Sequence, residues 1–294
     1  MVPERAAWAR RRKTLASAVF LTAALFAFAG SAFARPTART DQPAMVVSPN
    51  WSGYVATGQD GSPVKYTSVT GTWTVPAATC NGAASYGGSS TAWVGLGGYT
   101  TKNQEEVGTD SNCSAKGKPI YYAWFEFVPF ISYNVFPAPP DVVAVGDTIT
   151  GTVKIVSTTM VEVQVVDQTK NWTFDKTVAF SSQDTSTAEW IVEAPADCVR
   201  WTCHEANLAN FGAITMHGIS AVGNGSTGTL SDPDWKVIPI QLVPSKVSVP
   251  TLNPDAPTPQ KQTASSPAGA TPGPVSADGS AFSINWVAVA NGGL

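Results

Sequence analysis

A glutamate in the segment STAEWIVEAP, Glu189, is the first residue whose type and surroundings could do chemistry. The segment alternates like a β-strand, so Glu189, Ile191 and Glu193 would share one face and Trp190 would take the other. A carboxylate beside Ile and Trp on a half-buried strand costs free energy unless it has a partner or a catalytic task. Glu189 is therefore either a solvated residue on the outer face of a sheet or a functional carboxylate.

A second run of carboxylates and amides, KNQEEVGTDSNC, occupies residues 102–113. It also has the character of a short strand, on which Gln104 and Glu106 would share a face, with Asp110 further along. A carboxylate that faces an amide or a second carboxyl group can move protons on a polar bond without a metal ion or a covalent intermediate. The aromatic strand over residues 121–127 would form a wall beside them, unless it only packs in the core.

The motifs of serine and zinc hydrolases are missing from the sequence. The chain has two histidines, no G-x-S-x-G nucleophile elbow and no H-E-x-x-H zinc signature. The run Cys203-His204-Glu205 lacks the second pair of ligands that a metal site needs. The run 223–228 fits G-x-G-x-x-G by letter but opens no helix, so it predicts a turn.

The elements that would position these residues are strands. From Asn50 onward, segments rich in β-branched and aromatic residues are separated by clusters of Gly, Pro, Asn and Asp. In TITGTVKIV and MVEVQVV, apolar residues alternate with Thr, Lys, Glu and Gln, which indicates strands with one buried face. Many strands without a helical period predict a sandwich or a barrel, and this length fits a single domain.

The first 34 residues have the features of a secretory signal peptide. A basic run from Arg10 to Lys13 precedes an apolar run, and Ala32-Phe33-Ala34 is an A-x-A cleavage site. The apolar run is too short to span a membrane. We therefore expect a secreted, extracellular protein whose mature chain begins at Arg35.

The charge of the mature chain limits its partners. Cleavage would remove five of the 18 basic and one of the 21 acidic residues, which leaves a net charge of −7. An acidic balance with few charges argues against nucleic acid or an anionic membrane as a partner. It is compatible with work in acid, where fewer carboxylates are ionised.

The four cysteines, Cys80, Cys113, Cys198 and Cys203, all follow the signal segment. An even number in an exported chain favours two disulfides over free thiols. Cys198 and Cys203 are close enough in sequence to close a small loop, and Cys80 would then pair with Cys113. Three pairings are possible, and the sequence does not choose among them.

Composition also divides the mature chain. Residues 35–45 resemble a flexible leader, and residues 46–289 form the β-rich domain. Within it, residues 244–279 are dense in Pro, Ser, Thr and Ala and nearly free of aromatics, so we expect a mobile surface insertion. The segment 280–288 alternates again and is expected to return to the main sheet as a strand.

Seven segments resemble the glutamic peptidases, or eqolisins, in their order and approximate spacing. They are NWSGYVA (50–56), VTGTWTVP (69–76), WVGLGG (93–98), EEVGTD (105–110), YYAWFEF (121–127), AEWIVEAP (188–195) and LANFGAIT (208–215). The match covers most of residues 50–220 and the final strand. It implies an all-β fold, an antiparallel β-sandwich of two curved seven-stranded sheets like the concanavalin A-like lectins and glucanases. It also implies an acid-acting endopeptidase that needs no metal or cofactor.

The resemblance assigns roles to particular residues. In the family, a Glu in the A-E-W-I segment activates water against the scissile carbonyl and then protonates the leaving amine, and Glu189 stands at that position. Asp110 matches the Asp of the family's Q-x-G-x-D segment. Trp124 and Glu126 match an aromatic wall and its supporting Glu. With Trp51, these three are the candidate substrate-binding and support residues.

Two positions depart from the family. The Gln of Q-x-G-x-D, whose amide donates to the water and the developing oxyanion, is replaced by Glu106, and many members have Asp where this chain has Gly97. Three interpretations follow. A protonated Glu106 could imitate the amide, Gln104 could serve as an alternative amide partner, or the site could be inactive.

The sequence therefore predicts a secreted, acid-acting endopeptidase in which a Glu-activated water attacks the peptide bond of a protein or peptide substrate. We expect the chain to be a monomer. The alternatives are a non-catalytic or carbohydrate-binding lectin-like sandwich, and a glycosidase on the same fold that uses Glu106 and Glu189 as paired carboxylates.

Overall fold

The regular structure of the described residues consists of strands. The computed structural model describes residues 44–80, 88–114, 116–130, 132–135, 142–199, 202–243 and 268–288. The predicted signal peptide and most of the leader lie outside these ranges. Within them, no helix is long and apolar enough to cross a membrane. The strands are β1 (Val46–Ser48), β2 (Trp51–Gly58), β3 (Tyr66–Thr74), β4 (Thr91–Gly97), β5 (Gln104–Cys113), β6 (Pro119–Val128), β7 (Tyr133–Val135), β8 (Thr148–Ser157), β9 (Met160–Asp167), β10 (Trp172–Ala179), β11 (Thr187–Glu193), β12 (Ala196–Val199), β13 (Thr202–Glu205), β14 (Ala213–Gly223), β15 (Ser226–Gly228), β16 (Trp235–Leu242), β17 (Ala268–Pro272) and β18 (Ala281–Ala288).

Alternation of apolar and polar residues produces strands with one buried face, as β8 and β9 illustrate. Val153 on β8 lies opposite Val163 on β9, and both are fully buried. Their neighbours Lys154 and Glu162 are also opposite each other, on the other face, where Nζ of Lys154 lies 3.6 Å from Oε1 of Glu162. The period of two thus places one set of side chains in the core and the other towards solvent.

The strands join into one hydrogen-bonded path whose two halves pack face to face. The order is β10-β9-β8-β3-β14-β18-β17 in one half and β16-β2-β11-β4-β5-β6-β7 in the other. Neighbouring strands along this path are antiparallel. The halves connect where Ala270 of β17 pairs with Leu242 of β16. This is an antiparallel sandwich of two curved layers, which confirms the predicted fold class.

Two buried tryptophans connect the layers directly behind the strands that carry the candidate carboxylates. The indole N–H of Trp190 on β11 donates to the carbonyl oxygen of Thr70 on β3, at 2.8 Å. The indole N–H of Trp73 on β3 donates to the hydroxyl of Thr109 on β5, also at 2.8 Å. Each bond satisfies a buried polar group, so the indoles fill the core without an unpaired donor.

The mobile insertion predicted for residues 244–279 extends too far towards the C-terminus. Residues 268–272 form β17, which pairs with β16 and β18, and Ala268 and Ala270 are buried there. Small side chains allow this strand to pack closely, although its Ala, Gly, Thr and Pro composition is typical of a loop. Residues 244–267 lie outside the described ranges. The expected final strand is β18, which pairs with β14 and β17.

The cysteines agree with the expected pairing as far as the described side chains extend. Cys80 and Cys113 form a disulfide that joins the segment after β3 to the end of β5. Cys198 and Cys203 lie opposite each other in the β12–β13 hairpin. Directly opposed antiparallel residues have Cα atoms about 4.5–5.5 Å apart, within the range of a disulfide. A bridge between these two stays a prediction.

Candidate active site

A cavity of about 420 Å³ lies on the face of the β2-β11-β4-β5-β6 layer that is turned away from the core. It runs along β5 and β6, because alternate residues of both strands line it. The lining residues are Asn50, Trp51, Ser89, Thr91, Gln104, Glu106, Asp110, Asn112, Tyr122, Trp124, Glu126, Val128, Ser132, Asn134, Glu193 and Pro195. The candidate residues on β5 and β6, together with Trp51, are therefore brought to one place, as the sequence predicts.

The pairing of β5 with β6 sets the carboxyl groups against each other. Glu106 lies directly opposite Glu126. One position further along the same face, Gly108 lies opposite Trp124, and a Cβ on this glycine would come within 2.9 Å of the Trp124 ring and 2.6 Å of Cβ of Trp93. Gly108 thus leaves room for the two indoles that form the floor and wall beside the carboxyl groups.

Glu193 enters the cavity from the end of β11 and is held by two donors. The indole N–H of Trp93 donates to Oε2 at 2.9 Å, and the side-chain amide of Asn50 donates to Oε1 at 2.9 Å. Trp93 is itself packed edge-on against Trp51, with ring centroids 5.1 Å apart. Burial raises the pKa of Glu193 to about 8, and the charge of Glu126 adds to this, while the bonds from Trp93, Trp51 and Asn50 act in the opposite direction.

Glu106 is a second buried carboxyl group of the cavity. Its side chain is only 5% exposed, and its Oε2 has no hydrogen-bond partner among the described residues. Burial holds its pKa well above the ordinary value, and the charges of Glu126, Glu193, Glu189 and Asp110, in that order, raise it further. Burial and the charge of Asp110 raise the pKa of Glu126 to about 7.

Asp110 is surrounded by hydrogen-bonding side chains. The side-chain amide of Asn112 donates to its Oδ2 at 2.6 Å. Burial raises the pKa of Asp110, although bonds from Tyr122, Asn112, Thr91 and Trp124 offset part of that rise. Trp124 also donates its indole N–H to the hydroxyl of Thr91 at 3.1 Å. Asp110 therefore gathers side chains of three strands and fixes the aromatic wall.

Glu189, the base that the resemblance implies, does not line the cavity. It is fully buried, and neither carboxylate oxygen has a hydrogen-bond partner among the described residues. Burial raises its pKa well above the ordinary value, the Thr187 hydroxyl offsets part of this, and the charges of Asp184 and Glu105 add to it. Glu189 lies in the same row as Glu106, because both are paired with Gly95 of β4, so full burial of its side chain, and not its position along the strand, accompanies its absence from the lining.

Gly97, the second departure from the family, lies beside a carboxylate from another segment. A Cβ on Gly97 would come within 2.7 Å of Cγ of Asp184. Asp184 accepts hydrogen bonds from the backbone N–H of Gly98 at 3.2 Å and from the hydroxyl of Thr101, and its own N–H donates to Glu105 at 3.0 Å. The loop that leads into β5 is thus ordered by an aspartate that does not come from β4.

The sequence does not single out several of the lining residues. Alternation puts Glu193 on the face of Glu189, as the structure has it, but it predicts neither the place of Glu193 in the cavity nor its hydrogen bond with Asn50. The signal for Glu193 was present in the same segment, since it ends the strand just before Ala194-Pro195. Asn50 precedes Trp51, which lies opposite Glu193 in the β2–β11 register. That neighbourhood depends on pairing between distant segments, which periodicity does not reveal.

Comparisons with known proteins complete the description of the site. The model of the peptidase A4 family matches residues 49–251. Aspergillopepsin-2 of Aspergillus niger is 32% identical over 208 residues, which are 63% of this chain and 68% of that protein. A scytalido-glutamic peptidase bound to a transition-state analogue inhibitor has a TM-score of 0.58 at 22% identity, and SCP-B, an eqolisin bound to the tripeptide Ala-Ile-His, has 0.55 at 21%. Both alignments cover 81% of this chain and 98% of the other, and at this identity they show the fold.

Proposed function

The chain belongs to the peptidase A4 family of glutamic endopeptidases, and from this premise we propose that it cleaves peptide bonds with Glu193 as general base and a protonated Glu106 as donor to the carbonyl oxygen. The proposal moves the base from Glu189 to Glu193. It keeps the idea that Glu106 replaces an amide. The substrate class, a protein or peptide, follows from the family.

The observation that supports this assignment most strongly is the unequal surroundings of two carboxyl groups that line the same cavity. Both oxygens of Glu193 accept hydrogen bonds, whereas Oε2 of Glu106 accepts none within the described structure. Nearby carboxyl groups resist double ionisation, and donors favour the ionised form. In the singly ionised pair, the charge therefore belongs on Glu193 and the proton on Glu106.

The reaction then needs only water and the two side chains. Ionised Glu193 takes a proton from water while the water oxygen attacks the carbonyl carbon. The Glu106 carboxyl O–H donates to the carbonyl oxygen, where negative charge develops. As the C–N bond breaks, Glu193 gives its proton to the leaving nitrogen, which produces a carboxylic acid and an amine. Asp110, Trp124 and Glu126 support the cavity around these groups.

Acid action is part of the proposal, because low pH keeps the proton on Glu106. The acidic limit depends on Glu193, because burial raises its pKa to about 8 even with the bonds from Trp93 and Asn50 in place, and its ionised fraction falls as the pH drops below that value. The attacking water adds another donor to this carboxylate and favours its ionised form.

We also propose export through residues 1–34. The intact mass of the secreted protein should correspond to a chain that starts at Arg35.

Two variants of the same strand test the choice of base. Glu193→Gln should lower kcat on a quenched peptide by about 10²–10⁴-fold, because an amide cannot accept the water's proton. Glu189→Gln should keep most of the activity, since its side chain is closed off from the cavity. Circular dichroism and melting curves of both variants check that the fold persists. Loss of activity in Glu189→Gln with an active Glu193→Gln would return the base to Glu189.

The substrate class is tested by giving the mature protein denatured casein and β-glucans in parallel, from about pH 3 to about pH 8. Peptide cleavage without glucan cleavage is expected. Glucan cleavage alone would favour the paired-carboxylate glycosidase, and cleavage of neither would favour a binding module.

A further inference from the structure

Gln104 carries a buried amide donor that nothing in the described structure satisfies. It is the first residue of β5, it lines the cavity, and its side chain is only 4% exposed. Its Nε2 has no hydrogen-bond partner among the described residues. A buried amide N–H without a partner costs about 1–3 kcal/mol, and most such groups in folded proteins are paired. A ligand in the cavity with an acceptor would remove this cost.

The fold fixes the amide in this place. Gly98 has a φ of +85°, and a Cβ there would lie 2.7 Å from Cδ and 2.8 Å from Oε1 of Gln104. The amide group is therefore packed directly over the backbone of Gly98. Glycine meets two requirements at position 98: it leaves room for the amide group, and it adopts a positive φ that L side chains rarely adopt.

The spacing of Gln104 and Glu106 matches that of an extended peptide. They are two residues apart on one face of β5, which corresponds to about 6.6–6.8 Å along the strand. The cavity runs along β5 and β6, from Gln104 and Val128 at one end to Asn112 and Tyr122 at the other. A peptide lying extended in that direction has the same repeat, so carbonyl groups two residues apart point to the same side.

We propose that Gln104 forms a substrate subsite, in which its amide N–H donates to a main-chain carbonyl oxygen two residues from the scissile bond. This inference rests on the proposed function, which places the scissile carbonyl at Glu106. The recognised group is the peptide backbone, because an amide donor binds any carbonyl oxygen regardless of the side chain. Gln104 therefore determines how long a substrate must be, and it has no part in side-chain preference.

The position of Gln104 argues against its use as the amide that acts on the oxyanion. Glu106 lies opposite Glu126 and close enough to Glu193 for that charge to raise its pKa. Gln104 lies opposite Val128, one pair further from these carboxyl groups. A donor that acts on the scissile carbonyl would change kcat on every substrate. A donor at a distant carbonyl affects only substrates that possess that carbonyl.

The test compares Gln104→Met, which keeps the shape and removes the donor, with the wild type on a nested peptide series. The parent peptide has at least three residues on each side of the cleaved bond and is shortened from each end in turn. Gln104→Met should lower kcat/KM of the long peptide by about 3- to 10-fold, mainly through KM, because a neutral hydrogen bond is lost from binding. The difference should disappear when one particular end is shortened.

Gln168→Met is the matched control. Gln168 is exposed, lies outside the cavity lining and donates to the hydroxyl of Thr150 at 2.8 Å. The kcat/KM of Gln168→Met should equal that of the wild type on every peptide of the series. An equal loss in Gln104→Met on long and short peptides, or no loss on the long one, would overturn the subsite.

Peptide binding to the Glu193→Gln variant separates the two proposals. Calorimetry should show that adding Gln104→Met lowers the affinity for the long peptide by a factor similar to the loss in kcat/KM. The affinity for the short peptide should stay unchanged. If the wild type cleaves nothing but this difference in binding is present, the proposed function fails and the subsite stands. If cleavage occurs and binding is insensitive to Gln104, the subsite fails and the proposed function stands.

Discussion

A glutamate at position 106 differs from a glutamine in that it can lose its proton. While protonated, the Glu106 carboxyl group offers an O–H to the carbonyl oxygen, as an amide would offer N–H. Once it ionises, the donor is lost and a second negative charge lies near Glu193 and Glu126. This residue therefore gives the activity an upper pH limit that an amide would not impose.

We predict that Glu106→Gln keeps activity and extends the pH profile towards alkaline values. In the wild type, kcat/KM should fall as pH rises through the raised pKa of Glu106, towards the loss of about 10²–10³-fold that is typical when an oxyanion donor is removed. In the variant the donor cannot ionise. The measurement is the pH dependence of kcat/KM on one quenched peptide, for wild type and variant.

The comparison with Gln104→Met decides between the two amide candidates. An alkaline limb that does not move in Glu106→Gln, together with loss of kcat in Gln104→Met on all peptides, would show that Gln104 acts on the oxyanion. Our assignment predicts that both variants are active and that the alkaline limb of the pH profile shifts only in Glu106→Gln. The acidic limb should be similar in both variants, because it belongs to Glu193.

At the scale of elements, β5 has a different task on each face. Gln104, Glu106, Asp110 and Asn112 line the cavity, whereas Glu105, Val107 and Thr109 are on the other face and are buried. The disulfide holds the C-terminal end of this strand, since Cys113 bonds to Cys80 across a sequence separation of 33. The bridge therefore restrains the strand that carries most of the candidate site.

Removal of this bridge should destabilise the fold more than it changes the chemistry. For a loop of this size, the chain-entropy model gives a loss of roughly 3–4 kcal/mol in the free energy of unfolding for Cys80→Ala/Cys113→Ala. Urea unfolding of variant and wild type measures it. A double variant is preferable to a reductant, which would also reach any bridge between Cys198 and Cys203. Equal unfolding midpoints would contradict the prediction.

The strands show where sequence reasoning succeeds and where it stops. Alternation in β8, β9 and β11 predicts which side chains share a face, because the period of two is a property of the backbone. It cannot tell Glu189 from Glu193, since both satisfy the same period and only Glu193 is exposed to the cavity. It also missed β17, because its composition is that of a loop and its burial depends on partner strands.

At the scale of the whole molecule, the protein buries several carboxyl groups whose charged forms are poorly compensated. Burial raises the pKa of Glu105 to about 9, of Glu193 to about 8 and of Glu126 to about 7. Burial also raises the pKa of Glu106 and Glu189. In an unfolded chain these groups titrate near 4.3. The folded state therefore holds protons that the unfolded state has released, so these groups make the fold less stable as pH rises.

Glu105 allows this pH dependence of stability to be measured separately from the chemistry of the cavity, because it faces the core and lies outside the cavity lining. Its folded pKa lies above its unfolded pKa, so it does not weaken the fold below about pH 4.3. Between about pH 4.3 and its folded pKa of about 9, it should cost about 1.4 kcal/mol per pH unit. Its Oε1 accepts the Asp184 N–H at 3.0 Å, and a glutamine oxygen can accept the same bond.

Glu105→Gln should therefore flatten the dependence of stability on pH by about 1.4 kcal/mol per unit between roughly pH 5 and pH 8. The difference from the parent should be small in acid and should grow in favour of the variant towards neutral pH, because only the parent must ionise a buried group. Urea unfolding at several pH values, in a Glu193→Gln background that prevents self-digestion, measures it. Glu162→Gln on β9 is the control, because its side chain is partly exposed near Lys154. Parallel curves for Glu105→Gln and its parent would show that Glu105 does not weaken the fold near neutral pH.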